Sequence, residues 1–225
     1  MTGTATRASQ PFVFTGCVEL RQALDHRATD ERELLERLEE VPAGSVFYHT
    51  HGYFLRHRPI TTAYGNDFAS WVATQVRDQV LAERLAVVNP LEFTSLEHLR
   101  EELVSIIHDH LRRLSAVPRV EFGEPFYFQQ SHIVEVSLGT GANTLAEFRT
   151  GLAAVDASAI YFHMVEARAR LGRRAGDFAE WIRGSLGMPE LADRIGRIDT
   201  YMTNLERVRA RVLALVDGAL EARPR

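Results

Sequence analysis

The sequence has few cysteines, no long apolar run and little excess charge. Cys17 is its only cysteine, so the chain can form neither an intrachain disulfide nor a thiolate metal cluster, and this favours a reducing cytoplasm. No stretch approaches the roughly 20 apolar residues that cross a bilayer. The formal net charge of -4 is too small to attract the whole protein to nucleic acid or to an anionic membrane. We therefore expect a cytoplasmic protein with no nucleic-acid or membrane partner.

Glycine and proline are not enriched, with 15 and 8 in 225 residues, which excludes a collagenous or low-complexity chain. Hydrophobic residues make up 45% and charged residues 25% of the sequence, as in ordinary globular proteins. This length is enough for one large domain or two small ones. Residues 1–10 are polar and lack the apolar core of a secretory signal. Together with residues 222–225 they are predicted to be flexible ends.

An internal repeat runs through most of the sequence. Phe47–His49 aligns with Tyr161–His163, and Asp67–Trp71 aligns with Asp177–Trp181. The matching segments keep their order, and the gaps between them fall where loops are expected, which predicts a tandem duplication. The predicted segments are a first repeat unit at 11–115, a connector at 116–124 and a second repeat unit at 125–221.

Each repeat unit is predicted to contain four helices, because apolar residues recur at spacings of three and four behind residues that commonly cap helices. The predicted fold class is mainly α: a helical bundle from a tandem duplication of a four-helix unit. Short extended segments at 11–14 and 125–136 can pair as a small sheet. Trp71 and Trp181 are predicted to be buried anchors of the third helix in each unit.

Several of these motifs together resemble a known family. A helix with aromatic residues and histidine is followed by Asn66–Trp71, Leu81–Arg84 and Thr94–Glu97, and Tyr161–Arg168 provides a second version of the first motif. This combination is similar to the domain of unknown function 5752 of bacteria and archaea, and the resemblance covers most of the chain. The resemblance supports the duplicated helical architecture and implies no particular activity.

One histidine occupies the same position in both repeat units, and an arginine follows each of them seven residues later. In the first unit His49, Tyr53 and Arg56 lie on one face of the helix predicted at 44–57. A histidine that titrates near neutral pH beside a guanidinium is suited to bind an anion. The predicted ligand-binding residues are those of this stripe, their counterparts and the repeated aspartates: His49, Tyr53, Arg56, Asp67, His163, Glu166, Arg170 and Asp177.

The same residues also have structural interpretations. A buried histidine that bonds a neighbouring element would explain His49 and His163, and helix capping would explain Asp67 and Asp177. The sequence predicts no metal site and leaves any cofactor unknown. A metal would need ligands gathered from different helices, for example His49, His57, Asp67 and His110.

Two functions are compatible with this pattern. The preferred interpretation is a non-catalytic module, able to form a homo-oligomer, that binds a small anionic molecule or a partner protein in the cleft between its repeats. The alternative is a histidine-dependent enzyme, with or without a metal, whose active site lies in the first repeat. The common nucleotide-binding and hydrolase signatures are absent, and the sequence does not decide whether the protein is an enzyme. Under the binding hypothesis, His49→Ala and His163→Ala should weaken ligand binding and leave the thermal midpoint nearly unchanged.

Overall fold

The structure, a computed structural model, describes residues 6–56, 64–168, 175–201 and 203–222. Its strands and helices in chain order are β1 (Arg7–Ala28), α1 (Glu31–Glu40), α2 (Ala43–His49), α3 (Tyr53–Arg56), α4 (Asp67–Trp71), α5 (Gln79–Ala86), α6 (Leu96–Leu111), β2 (Phe126–Thr144), α7 (Leu145–Ala154), α8 (Ala157–Tyr161), α9 (Asp177–Gly184), α10 (Pro189–Gly196) and α11 (Leu205–Glu221). π-Helical turns continue α4 over Val72–Val76 and α8 over Phe162–Glu166, and a short 3-10 helix lies at Pro90–Glu92.

The two strands are long and pair with each other as an antiparallel ribbon. β1 has 22 residues and β2 has 19. Near the start of β1, Phe12 and Phe14 are buried whereas Val13 is 54% exposed, so alternate side chains pack against helices. Many side chains farther along the strands are polar. Cross-strand contacts there include a hydrogen bond from Nε2 of Gln130 to Oε1 of Gln22 at 2.7 Å.

This ribbon corrects the predicted fold class. The chain is a mixed α/β protein, so the prediction of a mainly α bundle of duplicated four-helix units is wrong. The pattern predicts extended segments only at 11–14 and 125–136, whereas the strands continue to Ala28 and Thr144. Hydrogen bonds between two strands that are distant in sequence stabilise the polar parts of the ribbon. The hydrophobic pattern of either strand alone does not reveal those bonds.

The chain forms two compact units that are not successive in sequence. The central unit is Glu19–Ile133, and the terminal unit combines Met1–Val18 with Val134–Arg225. The start of β1 therefore belongs with helices from the end of the chain, and the start of β2 belongs with α1–α6. These units differ from the predicted segments 11–115 and 125–221. Neither unit follows a single predicted four-helix stretch.

Each unit has its own aromatic core, in which a strand supplies part of the rings. In the central unit, the ring centroid of Phe126 on β2 lies 5.2 Å from that of Phe68 on α4. In the terminal unit, the ring of Phe12 on β1 lies 5.4 Å from Phe148 and 5.5 Å from Phe178. All five rings are buried. Aromatic packing of this kind attaches each strand end to the helices of its unit.

The beginning of the chain is more ordered than the sequence suggests. Residues 7–10 belong to the segment predicted to be flexible, yet they form the start of β1. The backbone N–H of Ser9 donates a hydrogen bond of 3.0 Å to the carbonyl of Ser185. At the other end, residues 223–225 of the predicted flexible segment lie outside the described residues.

Side-chain caps set the helix starts that matter for the site. The carboxylate of Asp30 caps α1 by accepting a hydrogen bond of 2.8 Å from the N–H of Glu33, and the carboxylate of Glu33 accepts one of 2.7 Å from the N–H of Thr29. Asn66 caps α4 by accepting a bond of 2.8 Å from the N–H of Ala69. Asp67 is thus the first residue of α4 and not its cap. Its carboxylate has another partner.

Candidate functional site

His49, the last residue of α2, is 3% exposed. Its Nδ1 lies 2.9 Å from Oδ2 of Asp67, and its Nε2 accepts a hydrogen bond of 3.0 Å from the backbone N–H of Gln129 on β2. Since Nε2 is an acceptor, the ring proton must be on Nδ1, which donates to Asp67. Both ring nitrogens are therefore engaged, and the imidazole is neutral.

The surroundings of His49 disfavour its protonated form. Burial lowers its pKa, and this effect exceeds the opposing hydrogen bond and charge of Asp67. The geometry also disfavours protonation of the ring, because a proton on Nε2 would point at the N–H of Gln129, which is itself a donor. A neutral imidazole that bonds on both sides ties the strand to two helices.

Asp67 connects His49 to Arg56. Its Oδ2 also accepts a bond of 2.5 Å from Nη2 of Arg56, while Nη1 donates to the carbonyl of Tyr48 at 2.7 Å. The guanidinium carbon lies 3.8 Å from the centroid of the Tyr48 ring, which is a cation–π contact. The Tyr48 hydroxyl donates to Oε1 of Gln129 at 2.8 Å. These contacts close a loop through five residues, here named the polar ring: His49, Asp67, Arg56, Tyr48 and Gln129.

A second carboxylate approaches the polar ring from β1. Oε1 of Glu19 lies 3.5 Å from Nη1 of Arg56, and burial raises the pKa of Glu19 although the charge of Arg56 opposes this. Gly52 leaves room for the contact, because a Cβ at this position would lie 2.8 Å from Nη1 of Arg56 and 3.0 Å from Oε1 of Glu19. In the repeat alignment the residue opposite Gly52 is Glu166. The terminal unit therefore carries a carboxylate on the helix itself.

An open groove of about 460 Å³ lies beside the polar ring. Trp71 and Tyr127 contribute aromatic surface to it, and Arg21 and Arg56 contribute positive charge. The side chain of Arg21 is 60% exposed, and its Nε lies 4.0 Å from the nearest oxygen of Glu19. The groove thus combines a fixed guanidinium with an exposed one.

His163 makes the corresponding contacts in the terminal unit. Its Nδ1 lies 2.9 Å from Oδ2 of Asp177, and its Nε2 accepts a bond of 3.0 Å from the backbone N–H of Thr15 on β1. The proton is therefore on Nδ1, as in His49. Glu166 is also buried. Arg170, the predicted partner of this histidine, lies outside the described residues.

The predicted first stripe is assembled only in part. His49, Arg56 and Asp67 share the polar ring, whereas Tyr53 is 1% exposed at the start of α3. The helix predicted at 44–57 is interrupted between α2 and α3. The capping interpretation of Asp67 is wrong, since its carboxylate binds His49 and Arg56. Ligand binding by the predicted residues stays a prediction.

Of the metal ligands that the sequence suggests as an example, the structure describes His49, Asp67 and His110, and it does not bring these three together. His49 and Asp67 bond each other, whereas Nε2 of His110 lies 2.9 Å from Oδ2 of Asp78. His57 lies outside the described residues. Both nitrogens of His49 have other partners, so His49 is not available as a ligand in this arrangement.

Sequence reasoning missed three participants in this site. Gln129 and Glu19 lie on strands far from α2, so no local spacing indicates them. Tyr48 precedes the repeated histidine, and its aromatic neighbour in the alignment, Phe162, gives no hint of a hydroxyl partner. The only sequence signal for a contact between the repeated histidines and the strands is the repetition of aromatic residues in the two strands.

His51 provides a pH-dependent test of this region. The side chain is 3% exposed, and its ring stacks on Phe47 with centroids 5.1 Å apart. Burial lowers the pKa of His51 from 6.5 to about 4. Between these values the unfolded chain binds a proton that the folded protein does not. The free energy of unfolding should therefore fall by roughly 3 kcal/mol as the pH drops through this window.

The variant His51→Val should lose this part of the pH dependence, because the aligned residue Val165 is an apolar and fully buried side chain. Denaturant unfolding of both proteins at several pH values between about 4 and 7 measures the difference. The exposed residue His98 supplies a control, since His98→Val should keep the wild-type slope. Equal slopes for wild type and His51→Val would contradict the prediction.

Comparisons with known proteins identify the family of the chain and a similar structure. The sequence matches the family of unknown function DUF5752 over residues 9–217, and the chain belongs to this family. Its structure is similar to that of OrfY from Thermoproteus tenax, with 28% identity and a TM-score of 0.81 over 96% of this chain and 98% of that one. No curated protein matches the sequence significantly. In the described part of the chain, no helix combines the length and apolar character needed to cross a membrane.

Proposed function

We propose that the protein is a non-catalytic, cytoplasmic module that binds a small anionic ligand in the groove of the central unit. The observation that carries this proposal is the closed polar ring. A general base needs a ring nitrogen within reach of its substrate, whereas Nε2 of His49 holds the backbone of Gln129. The alternative of an enzyme that uses this histidine therefore has less support.

The charges around the groove support an anionic ligand. Arg56 is held in place by Asp67 and by the carbonyl of Tyr48, so binding would cost little additional side-chain entropy. Arg21 is exposed and has no carboxylate closer than 4.0 Å among the described residues. Burial disfavours the charged form of Glu19. An anion beside both guanidiniums would gain charge-assisted hydrogen bonds.

Inorganic phosphate and succinate are suitable probes for this proposal. Native mass spectrometry of the untagged protein first shows any anion that co-purifies, and isothermal titration then measures the affinity for each probe. We expect Arg21→Ala to weaken binding by at least about tenfold, because a hydrogen bond to a charged group contributes roughly 1.5–3 kcal/mol. Arg112→Ala is the matched control, since Arg112 is exposed at the end of α6 and the change in net charge is the same.

Equal affinities for Arg21→Ala and Arg112→Ala would show that the anion binds elsewhere. The proposal would also fail if neither probe bound the wild-type protein and no anion co-purified with it. A partner protein as the ligand stays a prediction of the sequence. Its test is co-purification of a protein whose binding is lost in Arg21→Ala.

A further inference from the structure

Three titratable side chains from different parts of the central unit meet away from the polar ring. His110 lies near the end of α6, Asp78 is the N-cap of α5, and Glu31 is the first residue of α1. Nε2 of His110 lies 2.9 Å from Oδ2 of Asp78 and 3.7 Å from Oε2 of Glu31. One ligand atom from each residue lies within 4.8 Å of the other two. Both distances from Nε2 of His110 are shorter than twice the usual bond length of about 2.0–2.2 Å, so one ion can bridge His110 and either carboxylate.

Glu31 distinguishes this cluster from an ordinary ion pair. The residue is 0% exposed, and neither of its carboxylate oxygens has a hydrogen-bond partner among the described residues. A buried polar group without partners is unfavourable. A divalent cation would bind the carboxylate oxygens and offset the negative charge of the two acids.

The terminal unit has apolar residues at all three matching positions. Leu145 is the first residue of α7, Met188 precedes α10 as its N-cap, and Ala219 lies near the end of α11. The backbone agrees with this match, because the residues before the two N-caps, Arg77 and Gly187, have φ values of 68° and 65°. Apolar side chains therefore occupy the same position in the terminal unit. The packing of these helices does not by itself require the polar set.

We infer that Glu31, Asp78 and His110 form a binding site for a divalent transition-metal ion, with one imidazole and two carboxylates as ligands. Nitrogen and oxygen donors without sulfur suit Zn²⁺, Mn²⁺ or Fe²⁺. The ligands come from α1, the start of α5 and α6, so a bound ion would connect these elements and stabilise the central unit. The site is separate from the groove and does not depend on the proposed anion binding.

The test uses full-length, untagged protein that has been stripped with a chelator and dialysed against Zn²⁺ or Mn²⁺. Elemental analysis should find about one Zn²⁺ per chain, and Zn²⁺ should bind more tightly than Mn²⁺. The thermal midpoint should be higher with Zn²⁺ than with chelator. Glu31→Gln has nearly the same shape but lacks the charge, and it should lower the affinity for Zn²⁺ by more than about tenfold.

A triple variant provides the matched control. Glu31→Leu, Asp78→Met and His110→Ala together introduce the residues of the terminal unit, so this protein should fold, bind no Zn²⁺ at the site and show no shift of its midpoint with Zn²⁺. If the triple variant fails to fold, Glu31→Gln decides. A wild-type stoichiometry far below one, or Zn²⁺ affinity unchanged in Glu31→Gln, would overturn the inference.

Discussion

Trp181→Ala should lower the free energy of unfolding by about 3–5 kcal/mol. The side chain is 8% exposed, and its ring stacks on Phe148 at 5.3 Å and lies 5.4 Å from Phe12. Its indole N–H donates a bond of 2.7 Å to the carbonyl of Gln10 on β1. The substitution therefore leaves both a cavity in the aromatic core and an unpaired carbonyl. Denaturant unfolding measures the loss, and a value below about 1 kcal/mol would contradict this account.

Trp181→Phe separates the two contributions. It keeps much of the aromatic packing and removes the hydrogen bond, so we expect a loss of about 1 kcal/mol from the bond itself. Trp71→Ala repeats the experiment in the central unit, where Trp71 is 7% exposed and its indole N–H donates to the carbonyl of Glu124 at 2.9 Å. A loss of similar size is expected there. The structure confirms that both tryptophans are buried.

His49→Ala should destabilise the protein by about 3 kcal/mol or more and lower its thermal midpoint clearly. The N–H of Gln129 would lose its acceptor, and a polar group left without a partner costs about 1–3 kcal/mol. Asp67 would lose one of its donors and keep its bond to Arg56. The lost packing of the ring against Phe126, whose centroid lies 4.7 Å away, adds to this cost. Thermal unfolding of the purified variant measures the effect.

This result would reverse the expectation from the sequence, which places His49 in a ligand site and predicts an unchanged midpoint. His163→Ala should have a comparable effect through the N–H of Thr15. His132→Ala is the control, because His132 is exposed on β2 and should leave the midpoint unchanged. A His49→Ala protein as stable as wild type would mean that the polar ring does not form in solution.

Much of the local structure could be predicted from neighbouring residues. Asp30 caps α1, and an aspartate just ahead of a run of helix-forming residues is a signal that the sequence alone provides. The repeated Phe and Trp that follow Asp67 and Asp177 indicate buried anchors, because bulky aromatic side chains remove a large apolar area from water. These signals are local in sequence. These signals indicate which side chains are buried. They do not indicate what those side chains pack against.

The repeated histidines show the limit of such reasoning. They recur together with Asp67 and Asp177, and in the structure each histidine lies 2.9 Å from its aspartate. The second partner of each histidine is a backbone N–H on a strand. That N–H is present in almost every residue, so no side-chain pattern identifies it.

The sequence by itself determined the repeated motifs, the buried aromatic residues and membership of the family. Only the tertiary structure decided that the strands form one long ribbon and that the start of each strand packs with helices distant in sequence. It also decided that Glu31, Asp78 and His110 meet. The physical reason is the same in each case. Burial and helix capping depend on residues close in sequence, whereas strand pairing and clusters of polar side chains depend on which distant segments come into contact when the chain folds.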